Sequence, residues 1–240
     1  MRSIQRWVRE RFTQEGKRQR DHRLYDARTF QIMKRVLKPD SACIDVGCHE
    51  GAILQRMIQY SPNGKHIAFE PIPFLANKLR ERFPKVEIHE VALGDKPGRA
   101  SFVHVTSNPA YSGLRVRRYD RPDEELQQIE VEVVRLDDRL PGDLPIRFIK
   151  IDVEGAELGV LRGGKRTIEK WRPYIVFEHG LGAADYYGTG PGDVYDLLGR
   201  ELGLRLSLLD RWLARRTPLT REEFIEQFQS GANYYFVAHP

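Results

Sequence analysis

Cysteine is nearly missing from this sequence: 240 residues contain only Cys43 and Cys48. Two so close together, with no Cys-x-x-Cys pair, give neither a disulfide framework nor a redox motif. Cys43 reads as a small core residue and Cys48 as a turn residue. No apolar run approaches the ~20 residues that a membrane-spanning helix needs. The N-terminal stretch also lacks the apolar segment of a secretory signal. Seven histidines are scattered along the chain, which argues against a structural zinc site with its close ligand spacing. What is present is 40% hydrophobic and 30% charged, the composition of a globular protein long enough to bury a full core. A cytoplasmic enzyme is the expectation.

Negative charge is scarce at one end. Residues 1–38 carry twelve Lys and Arg against four Asp and Glu, a balance of +8; the chain as a whole is +5, so the remainder is −3. Ile4, Trp7, Val8, Arg11 and Phe12 lay an apolar stripe along a helix with arginines around it. Such a segment suits peripheral contact with an anionic membrane through residues 1–38. The preferred reading is a solvated helix pair that packs Trp7, Phe12, Phe30, Ile32, Met33 and Leu37 onto the main domain. Pro39 disfavours a helical Lys38 and closes the region. The division expected is a basic helical extension over 1–40 and one domain over 41–240.

That domain is organised around Ser41 to Gly51. An apolar run ends in Asp45 and turns through Gly47 and Gly51, and Ala52 to Ile58 then shows helical spacing. Strand, glycine turn and helix present backbone N–H groups and a helix N-terminus to a nucleotide-like ligand. Gly47 permits the sharp turn, and Gly51 a close helix start. The carboxylate of Asp45 suits a cationic ligand and would repel a diphosphate, which points toward S-adenosylmethionine and away from a dinucleotide. A second strand, Lys65 to Glu70, ends in an acid 23 residues beyond Gly47, where a carboxylate can accept from both ribose hydroxyls.

Leu75, Leu79 and Phe83 line a helix face, and Val86 to Leu93 reads as a third strand. Ala100 to Val105 and Ile129 to Leu136 then alternate about a polar excursion, the pattern of an inserted β-hairpin. Its tip, with Ser107, Asn108, Tyr111 and Ser112, is a candidate lid. In Ile146 to Glu157, period-two alternation sets Lys150, Asp152 and Glu154 on one side of a strand and its exit. A lysine in so apolar a strand needs a partner, and the two carboxylates are placed to supply it.

The run Lys150-Ile151-Asp152-Val153-Glu154-Gly155-Ala156-Glu157 resembles the Lys-Ile-Asp-x-Glu-Gly-x-Glu signature of FkbM-type S-adenosylmethionine-dependent methyltransferases. The likeness extends to Asp45-Val46-Gly47, Phe69-Glu70-Pro71, Ala92-Leu93-Gly94-Asp95, Leu136-Asp137-Asp138 and Asn233-Tyr234-Tyr235-Phe236, so it covers roughly residues 41–238. It implies a class I, Rossmann-like α/β fold: a mainly parallel seven-stranded sheet with an antiparallel last strand, helices on both faces and the β-hairpin insertion. Tyr174 to His179 would be the fifth strand, Pro191 to Leu202 a helix, and Leu204 to Leu209 a strand. Thr220 to Glu223 would open a helix by a capping box, and Tyr234 to Ala238 would close the sheet. Asn108-Pro109-Ala110-Tyr111 is similar to the Asn-Pro-Pro-Tyr signature of nitrogen methyltransferases. It lacks the second proline and precedes the fourth sheet strand, so it reads as coincidence.

The resemblance implies a cofactor site of Asp45, Gly47, Cys48, Gly51, Glu70, Pro71, Val91, Ala92 and Asp152. Candidate catalytic residues are His179 as general base, with Asp152, Glu154 and Lys150 beside it, the lysine orienting carboxylates. Asp152, Glu178 and His179 could instead hold a divalent metal that lowers the acceptor's pKa. The expected reaction is O-methylation of a sugar, glycan or small metabolite. Nucleic-acid methylation is the alternative prompted by the basic segment, and the acidic remainder argues against it. A Rossmann NAD(P) oxidoreductase or a non-catalytic binding module are further alternatives.

Overall fold

The computed structural model describes residues 20–119 and 123–240. The stripe of Ile4, Trp7, Val8, Arg11 and Phe12 lies outside the described residues, and with it half of the basic segment. The fold begins from buried apolar strands. β1 (Ala42–Val46) is buried at every position, as a parallel strand covered on both faces must be. It is flanked by β2 (His66–Phe69) and β7 (Ile146–Ile151), both parallel to it. The full sheet adds β3 (Glu87–His89), β8 (Tyr174–Glu178), β10 (Tyr235–His239) and β9 (Arg205–Leu208) in the order β3-β2-β1-β7-β8-β10-β9. β10 is antiparallel to both neighbours. This is the seven-stranded sheet with an antiparallel last strand that the family resemblance implied.

Alternation divides the core between the two faces. Ile44 and Val46 join Ile149, Ile151 and Phe177 on one side, where α4 (Glu157–Gly163) and α5 (Lys165–Trp171) pack. Cys43, Phe148 and Val176 face the other side, with α2 (Ala52–Tyr60) and helical residues 20–36, here α1. Ile32 and Met33 of α1 are fully buried there. The described part of the extension therefore shares the domain's core, and a boundary at residue 40 would cut through packed side chains. Among the described residues no helix is long and apolar enough to cross a membrane.

One expected strand divides in two. Residues 86–93 supply β3 to the main sheet and β4 (Ala92–Leu93) to a second, three-stranded sheet of order β4-β6-β5. β5 (Gly98–Val105) and β6 (Leu126–Val134) form the antiparallel hairpin, in register from Gly98 opposite Val133 to Val105 opposite Leu126. The small sheet has its own apolar layer, with Phe102, Val131 and Val133 against Ile72 and Leu75 of the α3 region (helix Pro73–Arg82). Beyond β8, α6 (Pro191–Tyr195) continues as a π-helix over Asp196–Glu201, short of the expected α-helix to Leu202. After α7 (Leu209–Leu213), α8 (Arg221–Ser230) opens with the expected capping box, Thr220 accepting from the Glu223 amide.

Candidate active site

The parallel strands β1, β2, β7 and β8 all end at one edge of the sheet, and their exits carry the polar residues picked out above. Gly47 follows β1 with φ 73°, and a Cβ there would come within 1.9 Å of the Asp152 carbonyl oxygen. Only glycine lets the β1 and β7 exits approach so closely. Gly51, also left-handed at φ 78°, starts α2, but a Cβ on it would strike Leu79 and Phe83. Its smallness serves helix packing, and it does not line the cavities at this edge.

Two adjoining cavities share the wall of Gly47, His49, Ala110, Asp152 and Glu154. The first is narrow and apolar, about 60 Å³, between Glu70, Pro71, Val91 and Ala92 on one side and the Pro109–Leu114 segment on the other. Glu70 is almost fully buried and accepts from the amides of His49 (2.8 Å) and Ile72 (3.0 Å). Burial pushes its carboxyl up to about 7, against those two donors. The second cavity, about 590 Å³, carries the ionisable groups, and Asp45, Cys48, Lys150, Asp152, Glu154, Glu178 and Tyr235 line it.

Asp45 is 1% exposed, and its Oδ2 has no hydrogen-bond partner among the described residues. Burial pushes its carboxyl up to about 7, with Lys150 pulling the other way. A buried acceptor without a donor is costly unless something supplies one. That orphan oxygen fits a ligand with a cationic, hydrogen-bonding end, as S-adenosylmethionine has. The apolar cavity fits less readily. A benzene ring occupies a cavity of ~150 Å³, so an adenine ring would require Pro109–Leu114 to move outward.

Asp152 is the hub of the second cavity. Lys150, 3% exposed and aligned with Asp45 across the β1–β7 ladder, donates to it at 3.0 Å. The Tyr235 hydroxyl donates to the same oxygen, and the Lys150 ammonium lies 4.7 Å from the centre of the Tyr235 ring. Against the push of burial, Lys150 and hydrogen bonds with Glu178, Tyr235 and Lys150 itself hold Asp152 well below the usual carboxylate range. Burial and the charge of Asp152 drive Glu178 upward. Glu154, held in left-handed backbone at φ 57°, pairs with Arg117. Burial raises its carboxyl to about 8 in spite of that guanidinium. Glu157 accepts from the amides of Val153 (3.1 Å) and Gly155 (3.0 Å) and so fixes the loop that carries Glu154.

A third cavity, about 690 Å³, meets this cluster at Glu154 and Glu178, and Tyr111, Arg117, Tyr119, Phe228 and Tyr234 line its walls. His179 is elsewhere. Glu178 faces the site, so the next residue turns away, and His179 is 1% exposed against Phe224 and Phe228 at 6.3 and 4.8 Å between ring centres. Burial lowers its pKa to about 4. His179 thus lines none of these three cavities; the carboxylate that gathers with Asp152 and Glu178 is Glu154, with one oxygen from each within 4.8 Å of the others.

His22 and Asp26 of α1, Asn108, Tyr111, Arg117 and Tyr235 are cavity residues that the sequence reading did not single out as ligands or catalysts. For Tyr235 the signal was available, since strand alternation fixes which face it takes. Asn108 and Tyr111 belong to the expected lid, and only the fold brings in His22, Asp26 and Arg117.

A profile described as Methyltransferase FkbM domain matches residues 45–206. Among curated proteins, "2-O-methyltransferase NoeI" of Sinorhizobium fredii is 32% identical over 162 residues, 59% of this chain and 65% of that protein. "Methyltransferase 1" of Beauveria bassiana is 29% identical over 146 residues, 52% of this chain and 58% of that protein. The chain thus spans less than two thirds of either relative's length. A solved FkbM methyltransferase from Methylobacillus flagellatus aligns at TM-score 0.51 and 17% identity, over 85% of this chain and 45% of that one. That likeness carries the fold. With the profile running from Asp45 at the end of β1 to Leu206 within β9, the chain belongs to the FkbM methyltransferase family.

Proposed function

We propose that this protein transfers the methyl group of S-adenosylmethionine to a hydroxyl of a sugar, glycan or small metabolite. The observation that carries the proposal is the meeting of a donor-sized and an acceptor-sized cavity at one cluster of carboxylates, Asp152, Glu154 and Glu178. The relative named as a 2-O-methyltransferase supports oxygen as the acceptor atom. When bound, the cofactor supplies an electrophilic methyl group on a sulfonium. Glu70 receives the ribose hydroxyls, Val91 and Ala92 flank the adenine beside Pro71, and Asp45 and Cys48 line the cationic end.

Glu154 is the residue we assign to the acceptor's proton. It lines all three cavities, and a carboxyl raised to about 8 has the basicity a general base needs near neutral pH. Lys150 and Tyr235 hold Asp152 ionised and oriented, and Arg117 positions Glu154. Alignment of the acceptor with the methyl group is most of what an in-line displacement requires, and the meeting of the two larger cavities at Glu154 and Glu178 supports it. The closeness of the three carboxylates favours a second reading in which they hold a hard divalent cation that acidifies the acceptor. A cytoplasmic location is consistent with the two unpaired cysteines. Contact of residues 1–38 with an anionic membrane stays part of the proposal.

Purified protein offered methyl-labelled cofactor and a panel of sugars, glycans and small alcohols should label a hydroxyl. Glu154→Gln should lower kcat about 10²–10⁴-fold with cofactor affinity retained by calorimetry. Glu70→Ala should instead weaken cofactor binding by about 1–3 kcal/mol. Activity lost to chelator and restored by Mg²⁺ would favour the cation reading; unaltered activity in Glu154→Gln with no chelator effect would sink both.

A further inference from the structure

At the opposite edge of the sheet, where β7 and β8 begin, lies a cleft of about 510 Å³. Five arginines line it, Arg35 from α1, Arg147 from β7, Arg205 from β9, and Arg215 and Arg216 after α7, and no carboxylate side chain does. Arg147 is five residues along β7 from Asp152, or about 16 Å at the usual rise per residue, so the cleft is separate from the methyl-transfer cavities.

Several of these arginines are held in place without being neutralised. Arg35 donates to the Leu213 carbonyl (2.5 Å) and lies 6.0 Å from the Trp212 ring centre. Arg147 donates to the Val36 carbonyl (3.0 Å) and covers the Tyr174 ring at 4.8 Å. Arg205 is the exception, donating through Nε and Nη2 to the main-chain carboxylate of Pro240, the last residue of the sequence. The neighbouring acids are committed elsewhere, Asp210 to Arg28 and Glu223 to Arg211. Among the described residues, Arg35, Arg147, Arg215 and Arg216 have no carboxylate within ion-pair distance.

Like charges gathered in one concave site repel one another, and field lines concentrate where low-dielectric walls surround them. Carbonyls and rings that fix guanidinium groups also remove most of the ordering cost of engaging a ligand. Planar, always-charged arginine forks match the oxygens of a phosphate better than any neutral ligand. We propose that this cleft is a binding site for a phosphate-bearing anion, either a free phosphorylated molecule or the phosphate headgroups of an anionic lipid surface.

Full-length protein should be titrated with pyrophosphate at constant ionic strength, and separately sedimented with phosphatidylglycerol vesicles and with neutral phosphatidylcholine vesicles. The comparison variant is Arg215→Glu with Arg216→Glu, two exposed side chains away from the methyl-transfer cavities. Pyrophosphate should raise the melting temperature of the unaltered protein, and the variant should bind it roughly tenfold or more weakly. Cofactor affinity should be equal in the two, so a failure here is distinct from a failure of the methyltransferase reading. Binding of pyrophosphate alone would identify a free ligand; binding to phosphatidylglycerol vesicles alone, lost in the variant, would identify a lipid surface. Failure of the unaltered protein to engage either probe would overturn the proposal. So would equal affinity of the variant for both, as expected if residues 1–19 did the binding.

Discussion

Asp45 is an acid kept at the end of a strand where its ionised form is poorly served. An unfolded aspartate titrates near 3.9, whereas burial pushes Asp45 up to about 7 in the fold. The folded state then binds more protons than the unfolded one between those values, so this residue makes stability fall as pH rises from about 4 to 7. Asp45→Asn should flatten that fall, read as a smaller loss of melting temperature between pH 5 and pH 8 in cofactor-free protein; an unchanged slope would exclude the assignment. His179 makes the opposite contrast. It lies among Phe224 and Phe228, so His179→Ala should cost about 2–4 kcal/mol of stability through the cavity it leaves. Methyl transfer per folded molecule should stay near normal, and a large drop in kcat would restore it to the chemistry. Both residues show what the sequence could yield. Alternation put Lys150, Asp152 and Glu154 together, and the same period-two rule, applied to Glu178 and His179, forbids both from facing one cavity. Arg117 and His22 were not legible, because their partners Glu154 and Tyr235 lie far along the chain and no local period links them.

Among the elements, α1 is the one whose role changed most between sequence and structure. Its basic residues drew attention to charge, but its fixed part is apolar: Ile32, Met33 and Val36 pack against Cys43, Phe148 and Val176. His22, Arg23 and Asp26 at its other end line the second cavity. Removing residues 1–19 should leave cofactor affinity intact, since every described cavity residue follows them. Met33→Ala should cost about 2–5 kcal/mol in a denaturant melt, and a loss under 1 kcal/mol would mean that the helix is a dispensable addition. The strands of the main sheet were legible because each is a short apolar run with a turn at its end. The division of residues 86–93 into β3 and β4 was not, because one run of alternating residues carries no mark of which sheet each half will join.

At the scale of the whole molecule, the order β3-β2-β1-β7-β8-β10-β9 sends every acid of the site to one edge and the arginine cleft to the other. The acids' place at the strand ends followed from the βα pattern and the Lys150–Glu157 signature; the arginine cleft did not, because its residues come from four separate segments. Where the cavities join did not, because it depends on the loop between β5 and β6. Pro109, Ala110, Ser112 and Leu114 of that loop wall the narrow apolar cavity, while Tyr111, Arg117 and Tyr119 wall the large one beyond Glu154. Under the proposed cofactor placement, this segment would have to swing out to admit an adenine ring, and the same segment would build the acceptor's binding surface on swinging back. The two substrates are then expected to arrive in a compulsory sequence, with the methyl donor leading and its demethylated product leaving last. An unreactive acceptor analogue should inhibit uncompetitively against the donor in initial-rate measurements, and should give no binding heat to donor-free protein. Competitive inhibition, or equal affinity with and without donor, would mean that the loop lets either substrate enter first.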